Sequence, residues 1–599
     1  MAFANISDFI QTLQEHQELI VCDTPVSTYL EITEITDRFS KQTSAKNKAI
    51  LFTQTGTKFP VLINAFGSES RINIALGTDS LDDIRIRIES LFSHISSPKS
   101  GIRDALKMLP LLAEMQSWIP KTRSGKGACQ ECVMETPNLD ALPILHCWPY
   151  DAGRFITLPM VITHHPETGT RNVGMYRMQV YDKNTTGMHW HLHKTGANHY
   201  NAYKKLKRVM PVSVAIGGDP AHTFSATAPL PENIDEFMLS GFLRKKKVEL
   251  VKCITNDIYV PADADFIIEG YVDTQEDMFM EGPFGDHTGF YSLPDLYPFF
   301  HITCITHRKN AVYPTTIVGI PPMEDAWIGK AIERIFLAPI KFLLAPEIID
   351  YTMPFAGVAH NLVIVKIKKT FAGQAIKVMN TLWGAGQMMF NKVLLLVDEQ
   401  CDITKNAEII TAVLTHAAPE NDMYILKGPL DVLDHAAPHV GYGSKLCIDA
   451  TTKLSEEAKN KNPHQTYMCV AIAAEDYAKR QQIAQEYIAK NPQTRYIILH
   501  DAVIDASDTE TIVWHTLNNC DPLRDCTIQD GYFIFDGTTK HADTTQRDWP
   551  TPVVSLDTTI AQVDTRWDEY KIGEFIHSPS PAYKKLQMQN SAWLYQQNK

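Results

Sequence analysis

The first segment whose residue types could do chemistry is a run of histidines after residue 185. His189, His191 and His193 alternate within TGMHWHLHKT (186–195). On a β-strand, alternate residues share one face, so these three imidazoles would lie side by side. Imidazoles placed in this way need a partner, and a metal ion or an anion is the natural one. A solvated, histidine-rich edge strand is the alternative that spacing leaves open.

A second segment, EGPFGDHTGF (281–290), concentrates glycine, proline and acid–base groups. Three glycines and one proline in ten residues predict a tight, shaped loop. Glu281 and Asp286 lie five residues apart in it, and a histidine follows. Such a loop can present proton-transfer groups at a cleft. An ordinary exposed turn is the alternative.

Three further segments carry weaker signals. Glu236 stands in an acidic start to an apolar, periodic run, which is typical of a helix N-terminus. Gly443, Ser444 and Lys445 could hold a phosphate through backbone N–H groups and the lysine charge, although the spacing is not that of a P-loop. The pair formed by Cys129 and Cys132 has no second pair at zinc-site spacing, so we interpret it as structural.

The elements that must position these groups fall into four regions. Residues 1–115 alternate helix and strand patterns and predict an N-terminal α/β domain. Residues 116–330 contain many short strand-like runs between turn residues, which indicates a barrel or sandwich. Strand–helix alternation returns over 331–555 and predicts a C-terminal α/β domain. Residues 556–599 predict a helical tail, which we expect to pack against a partner subunit.

An internal repeat is apparent in the C-terminal region. Residues 392–398 (KVLLLVD) resemble residues 495–501 (RYIILHD), and the matches continue at the same offset to Pro419 and Pro522. Further along, DATTK (449–453) parallels DGTTK (536–540). These matches predict a duplicated βαβ-type module. Chance similarity between two α/β segments is the alternative.

Composition excludes some classes of function. The 599 residues carry 56 basic and 69 acidic side chains, for a net charge of −13. This balance disfavours a broad nucleic-acid surface. Apolar runs fall short of a membrane span, and residues 1–20 do not have the pattern of a signal peptide. Eleven scattered cysteines are typical of a reducing compartment, so we expect a cytoplasmic protein.

Together, these segments resemble the UbiD family of decarboxylases that depend on prenylated FMN. The resemblance rests on NVGMYR (172–177), EGPFGDHTG (281–289) and GSK (443–445), with support from LEITEITDR (30–38) and HCWP (146–149). It covers about residues 1–450 and resumes near 544–548. It implies an N-terminal α/β domain, a central split β-barrel that binds the flavin, and a C-terminal α/β domain used in oligomerisation.

The resemblance also implies residue roles. Arg177 would hold the substrate carboxylate, Glu281 would orient Arg177, and Asp286, with a raised pKa, would donate the proton. Asn172, His193 and Glu236 would bind a divalent metal, usually Mn²⁺, with K⁺ as an additional ion. The implied cofactor contacts are Asn172, Met175, Tyr176, Arg177, His189, Trp190, His191, Lys194, Thr195 and Lys445.

The sequence departs from the family pattern in two places. Related sequences often carry arginine where this chain has His189 and Lys194, so contacts to the cofactor phosphate are in doubt there. Residues 454–535 have no counterpart in shorter members and coincide with the second copy of the repeat.

The cofactor that this resemblance implies is consistent with the chemical demands of decarboxylation. Losing CO₂ from an sp² carbon leaves a very unstable anion for which side chains offer no electron sink, so a cofactor must supply one. Quinone precursors are the expected substrates: 4-hydroxy-3-polyprenylbenzoate for ubiquinone or a dihydroxynaphthoate for menaquinone. A simple hydroxybenzoate in catabolism is an alternative.

The implied partners are a flavin prenyltransferase, which would supply the cofactor, and further copies of this chain. A prenylated substrate would add peripheral association with a membrane. Two alternatives come from other classes, namely a flavin-free metal hydrolase built on the histidine-rich segment and a non-catalytic scaffold. A scaffold should have lost catalytic positions, yet Arg177, Glu281 and Asp286 are all present.

Overall fold

The N-terminal part of the chain is a small α/β unit. The computed structural model describes residues 2–96, 114–457, 465–540, 545 and 547–589. The N-terminal elements are α1 (Ile6–Glu15), β1 (Leu19–Cys22), α2 (Glu31–Ser40), β2 (Ala49–Phe52), β3 (Val61–Ile63), α3 (Glu69–Leu76) and α4 (Leu81–Ser96). Helix α1 begins where the side chain of Asn5 accepts hydrogen bonds from two backbone N–H groups, and its Ile6, Phe9 and Leu13 are buried on one face.

The central part consists mainly of short strands. Its strands are β4 (Lys121–Thr122), β5 (Cys132–Val133), β6 (Phe155–Ile156), β7 (Met160–His164), β8 (Arg171–Met175), β9 (Met178–Gln179), β10 (Thr185–Gly187), β11 (Met210–Ile216), β12 (Glu249–Lys252), β13 (Tyr259–Pro261), β14 (Phe266–Val272), β15 (Phe279–Glu281), β16 (Asp295–Tyr297), β17 (Phe299–His307) and β18 (Tyr313–Thr315). Its helices are α5 (Thr195–Lys205), α6 (Pro220–Ser225) and α7 (Glu236–Arg244).

The main central sheet has the order β10-β17-β14-β11-β7-β8, and β5 also pairs with β17. Its neighbouring strands are antiparallel. Among the described residues, no pairing joins β8 to β10, so the sheet is not closed into a ring. The mixed α/β multidomain class is confirmed, whereas the split barrel is not confirmed by these pairings.

Strand β18 ties the central part to the N-terminal part. It pairs in parallel with β3 and completes the sheet β1-β2-β3-β18. The predicted boundary at residue 115 therefore separates segments that share one sheet. This boundary and the one at residue 330 remain predictions.

The C-terminal part contains two sheets. Its elements are α8 (Glu324–Leu343), β19 (Ile348–Thr352), β20 (Leu362–Ile367), α9 (Gln374–Trp383), β21 (Val393–Asp398), α10 (Asn406–His416), α11 (Pro419–Asp422), β22 (Met423–Pro429), β23 (Tyr442–Ala450), β24 (Thr466–Ile472), α12 (Arg480–Lys490), β25 (Thr494–Asp501), α13 (Thr509–Asn519), α14 (Pro522–Asp525), β26 (Cys526–Gln529), β27 (Tyr532–Asp536), α15 (Asp557–Tyr570) and α16 (Lys584–Gln589).

The two C-terminal sheets share a strand order. Strands β20-β21-β23 are parallel, as are β24-β25-β27, and an antiparallel strand, β22 or β26, follows at the same edge of each set. The first sheet has one further antiparallel strand, β19, beside β20. Asp398 accepts hydrogen bonds from the backbone N–H and hydroxyl of Thr452 at 2.8 and 2.6 Å. Asp501 accepts the same pair from Thr539 at 3.0 and 2.5 Å. These matching contacts support the duplication, which remains a prediction.

The tail returns to the N-terminal part of its own chain. Trp567 of α15 is 2% exposed and stacks on Phe39 of α2 with ring centroids 6.1 Å apart. The hydroxyl of Tyr570 donates to Glu31 at 2.6 Å, and Arg38 donates to the carbonyl oxygen of Ile576 at 2.9 Å. One face of α15 therefore packs within its own chain, and contact of the tail with a partner subunit remains a prediction. Residues 590–599 of the predicted tail lie outside the described residues.

Two expectations from composition concern covalent links and membranes. None of the eleven cysteines forms a disulfide. Across the part of the chain that the structure describes, every helix is too short or too polar to cross a lipid bilayer.

Candidate active site

Arg177 lies between β8 and β9 and is held by three side chains. Its Nε and Nη2 donate to the two carboxylate oxygens of Glu281 at 2.9 and 3.0 Å, which is a bidentate ion pair. Nη2 also donates to Ser292 Oγ at 3.0 Å, and Nη1 donates to Asp286. The ring of Phe284 lies 4.8 Å from the guanidinium. The predicted catalytic trio is therefore brought together.

The loop after β15 places the two carboxylates. Glu281 ends that strand and its side chain is only 1% exposed. Gly282 has φ +87° and Gly289 has φ +82°, which favour glycine. A Cβ on Gly285 would approach Trp148 Cδ1 to 2.4 Å, so that position also needs glycine. The predicted tight loop is thus a consequence of left-handed backbone and close packing.

The electrostatics of the loop differ from the prediction for Asp286. Burial alone would raise the pKa of Asp286, but the nearby charges of Arg177 and His287 hold this pKa well below its usual range. The prediction of a raised pKa is therefore wrong for this arrangement. Burial disfavours a charged imidazole, yet the hydrogen bond from His287 Nδ1 to Asp286 Oδ1, 3.0 Å long, and the charge of Asp286 raise the pKa of His287 to about 9.

The histidine-rich segment is not a strand. Strand β10 ends at Gly187, and the three histidines follow in an irregular turn. His189 Nδ1 lies 3.0 Å from Glu281 Oε2, and the Nε2 atoms of His189 and His191 are 2.5 Å apart. His193 is exposed and its ring lies 5.4 Å from that of Phe390. The prediction that all three share one face is wrong, because period-two spacing does not require a strand.

A cavity of about 740 Å³ opens beside Arg177. Its walls come from the central part, from α8 and from the first C-terminal module, which is the sheet β19 to β23 with its helices (348–450). Seven of the predicted residues line it: Met175, Tyr176, Arg177, His189, His191, Lys194 and Asp286. The remaining predicted residues do not line it: Asn172, Trp190, His193, Thr195, Glu236, Glu281 and Lys445.

Three family models match consecutive parts of the chain. The N-terminal domain of 3-octaprenyl-4-hydroxybenzoate carboxy-lyase matches residues 10–91, its Rift-related domain 121–321, and its C-terminal domain 326–450 and 462–547. An uncharacterized protein of Archaeoglobus fulgidus is 48% identical over 460 residues, which are 76% of this chain and 93% of that protein. One of Helicobacter pylori is 37% identical over 581 residues, or 91% and 93% of the two chains.

The chain belongs to the UbiD family of carboxy-lyases. Solved structures with the same fold include the UbiD-class enzyme HmfF from Pelotomaculum thermopropionicum in complex with FMN, with TM-score 0.63, 24% identity, and coverage of 75% of this chain and 95% of that chain. The vanillic acid decarboxylase of Sedimentibacter hydroxybenzoicus in closed form has TM-score 0.67 and 24% identity, with coverage of 82% and 99%.

The cavity of this UbiD-family chain fits an anionic flavin. Its lining combines many apolar side chains, among them Met175, with three cationic ones, Arg177, Lys194 and His287, and two carboxylates, Asp286 and Asp431. Burial lowers the pKa of Lys194, so an anionic group beside it would favour its charged form. A flat ring system with an anionic tail matches this combination of surfaces.

The predicted metal ligands are only partly assembled. Glu236 Oε2 accepts a hydrogen bond of 2.7 Å from Val173 N, next to Asn172. Burial raises the pKa of Glu236 to about 7, and a divalent cation beside it would reverse that shift. His193 shares no hydrogen bond with either residue. Within the described residues, no three His, Cys, Asp or Glu side chains form a metal-binding group.

Lys445 supports the cavity wall from behind. It is 2% exposed and donates to the carbonyl oxygens of Met389 and Asn391, the latter at 2.9 Å. Burial lowers its pKa to about 7. Its Nζ is directed to backbone carbonyls of the wall, and the contact with a cofactor phosphate remains a prediction.

Three residues at the cavity were not predicted as site residues. His287 stands inside the recognised loop, so its adjacency to Asp286 was a usable signal. His360 and Asp431 both line the cavity from the first C-terminal module. No motif marks either of them, and only the packing of the modules against the central part brings them to the site.

Proposed function

We propose that this chain decarboxylates an aromatic carboxylic acid with the help of bound prenylated FMN and releases CO₂. The observation that carries the proposal is the clamp on Arg177, a buried guanidinium fixed by Glu281 in the wall of the cavity. Such a group binds a carboxylate in a fixed orientation. The flavin, when bound, supplies the electron sink that side chains lack.

The chain's own residues can deliver the proton. A substrate carboxylate at Arg177 competes with Asp286 for Nη1 and places a second negative charge beside it, and both effects raise the pKa of Asp286. His287 keeps its own proton at neutral pH because its pKa is about 9. The proton passes from His287 Nδ1 to Asp286 Oδ1, and Asp286 then transfers a proton to the carbon that has lost CO₂.

We further propose the finer assignments that the resemblance implies. The substrate is a hydroxylated quinone precursor, 4-hydroxy-3-polyprenylbenzoate or a dihydroxynaphthoate, with a catabolic hydroxybenzoate as the second candidate. Known structures of this fold include a vanillic acid decarboxylase and a 3,4-dihydroxybenzoic acid decarboxylase, which supports a hydroxylated ring. Mn²⁺ would be held by Asn172 and Glu236, with His193 as third ligand. The remaining proposals are a cytoplasmic homo-oligomer and a flavin prenyltransferase as cofactor supplier.

The test is co-expression with a flavin prenyltransferase. An absorbance spectrum, mass analysis of the extracted cofactor and metal analysis would follow, with a screen of aromatic acids for CO₂ release. Bound prenylated FMN with CO₂ release from a hydroxylated aromatic acid is the expected result. A colourless protein that binds metal but no flavin would overturn the proposal.

A further inference from the structure

Two side chains of the first C-terminal module face the cavity without a full set of partners. His360 lies just before β20, and both of its ring nitrogens are buried with no hydrogen-bond partner. Leaving a buried polar atom unsatisfied costs about 1–3 kcal/mol. Because His360 lines the cavity, a bound ligand is the available source of these missing hydrogen bonds.

The second such side chain is that of Asp431, which lies between β22 and β23. Its Oδ1 accepts a hydrogen bond of 2.9 Å from Leu433 N, and within the described residues no group donates to Oδ2. Burial would raise the pKa of Asp431, but neighbouring imidazoles, His360 foremost, hold this pKa well below its usual range. A free, ionised oxygen in a cavity wall is a strong hydrogen-bond acceptor.

Both side chains lie at the opposite end of a chain of contacts that starts at Arg177. Arg177 contacts Asp286, Asp286 contacts His287, and the ring of His287 lies 5.2 Å from that of His360. His360 and Asp431 therefore line the same cavity as Arg177, and Asp286 and His287 lie between Arg177 and His360 along this series of contacts.

The electrostatics of the cavity select the kind of group that would bind there. Arg177, Lys194 and the protonated His287 already place positive charge at the cavity, which disfavours a cationic ligand at Asp431. A second carboxylate would be repelled by Asp431. A neutral hydroxyl donor satisfies the free carboxylate oxygen, and its oxygen can accept from the N–H of His360.

We propose that His360 and Asp431 form a subsite for a ring hydroxyl of the substrate, on the edge opposite the carboxylate. The inference rests on the proposed function and narrows it to hydroxylated aromatic acids. A site built to hydrogen-bond a hydroxyl leaves its own groups unpaired with the analogue that lacks one, so we expect discrimination of about 10²-fold or more.

Equilibrium binding tests the subsite. The flavin-loaded protein would be titrated calorimetrically with 4-hydroxybenzoate and benzoate, and with 6-hydroxy-2-naphthoate and 2-naphthoate. At least one hydroxylated acid should bind about 10²-fold more tightly than its unsubstituted partner. Asp431→Asn and His360→Phe should each reduce that ratio to about tenfold or less while the affinity for the unsubstituted acid does not fall.

Asp402→Asn is the matched control, because Asp402 lies on an exposed turn of the same part of the chain. It should leave both affinities unchanged, and unchanged thermal unfolding of the two subsite variants would show that they fold. Equal affinity for both members of each pair, or an equal loss of both in the variants, would overturn the subsite. CO₂ release without hydroxyl preference refutes the subsite alone, whereas a protein that binds no flavin refutes the proposed function.

Discussion

Arg177 binds three different side chains, and their contributions are separable by substitution. Glu281 holds two of its nitrogens, whereas Ser292 accepts from one of those nitrogens and Asp286 from the third. Glu281 is therefore the residue that fixes the orientation of the guanidinium. Asp286 is the acceptor that an incoming carboxylate would replace.

Substitution of Asp286 tests the proton donor. Asp286→Asn keeps the shape of the side chain but cannot transfer a proton, so we expect kcat to fall by about 10²–10⁴-fold. Flavin content, measured by absorbance, should be unchanged. Turnover within threefold of the parent chain would remove Asp286 from the proposed proton path.

Substitution of Glu281 tests the orientation of Arg177. Glu281→Gln removes the charge of the bidentate pair, and we expect kcat/KM for CO₂ release to fall by about 10²-fold because the guanidinium is no longer fixed. Ser292→Ala removes a single neutral hydrogen bond and should cost less than tenfold. Equal losses in the two variants would contradict an orienting role for Glu281.

The pair formed by His287 and Asp286 also predicts a pH dependence of stability. The pKa of His287 is about 9, above the ordinary 6.5, so its contribution is fully present below about pH 6.5 and is lost as the pH rises through 9. The groups that act on His287 are Asp286, Asp325, Asp431 and His360. The stability gap between the parent chain and His287→Gln, measured by thermal unfolding, should shrink from pH 6 to pH 9.5. A constant gap would show that His287 is not charged in the folded protein.

At the scale of elements, the two C-terminal modules use matched aspartates in different surroundings. Asp501 is fully buried and accepts from Thr539 and from the hydroxyl of Tyr477, whereas Asp398 is half-buried and accepts from Thr452. In each module, the carboxylate at the end of one parallel strand binds the turn that follows the neighbouring parallel strand.

We expect unequal costs when the matched aspartates are removed. Asp501→Ala leaves several buried donors unpaired and should destabilise the module by about 3 kcal/mol, whereas water can replace Asp398, and Asp398→Ala should cost about 1 kcal/mol or less. The shift of the denaturant midpoint would measure both. Equal shifts would show that the difference in burial does not determine the loss of stability.

The sequence predicts best what lies in contiguous residues. The loop at 281–290 and the alternation of strands and helices were predictable because local turn chemistry and periodicity specify them. The depressed pKa of Asp286 was not, since it depends on Arg177, which is 109 residues away along the chain. The same holds for His360 and Asp431, which reach the cavity only through packing between parts.

The histidine-rich segment shows the limit of periodicity. Alternation of His189, His191 and His193 is compatible with a strand, but the strand there ends at Gly187. Two of the histidines still meet, because a turn can bring neighbours together, while the third is exposed. Pattern alone could not distinguish these two outcomes.

At the scale of the whole molecule, the tail and the N-terminal part stabilise each other. Trp567 contacts both the ring of Phe39 and the guanidinium of Arg38, which is 5.3 Å from its own ring. We expect Trp567→Ala to cost about 3–5 kcal/mol locally, because it removes a large buried ring. Hydrogen exchange in α2 should accelerate, whereas the exposed substitution Gln562→Ala should leave it unchanged. Unchanged exchange in both variants would show that α2 is stable without the tail.

The contact between α15 and α2 has a consequence for how the chain is made. Arg38 and Glu31 are synthesised first, yet their partners Ile576 and Tyr570 lie 538 and 539 residues later. Strand β18, which completes the first sheet, also arrives late. On a ribosome adding about 5–20 residues per second, the opening segment must wait on the order of half a minute or more for its last partners. During that interval the charges and apolar surface that the tail later buries are accessible to chaperones. Folding of the N-terminal part is therefore completed only after the C-terminal tail has been translated.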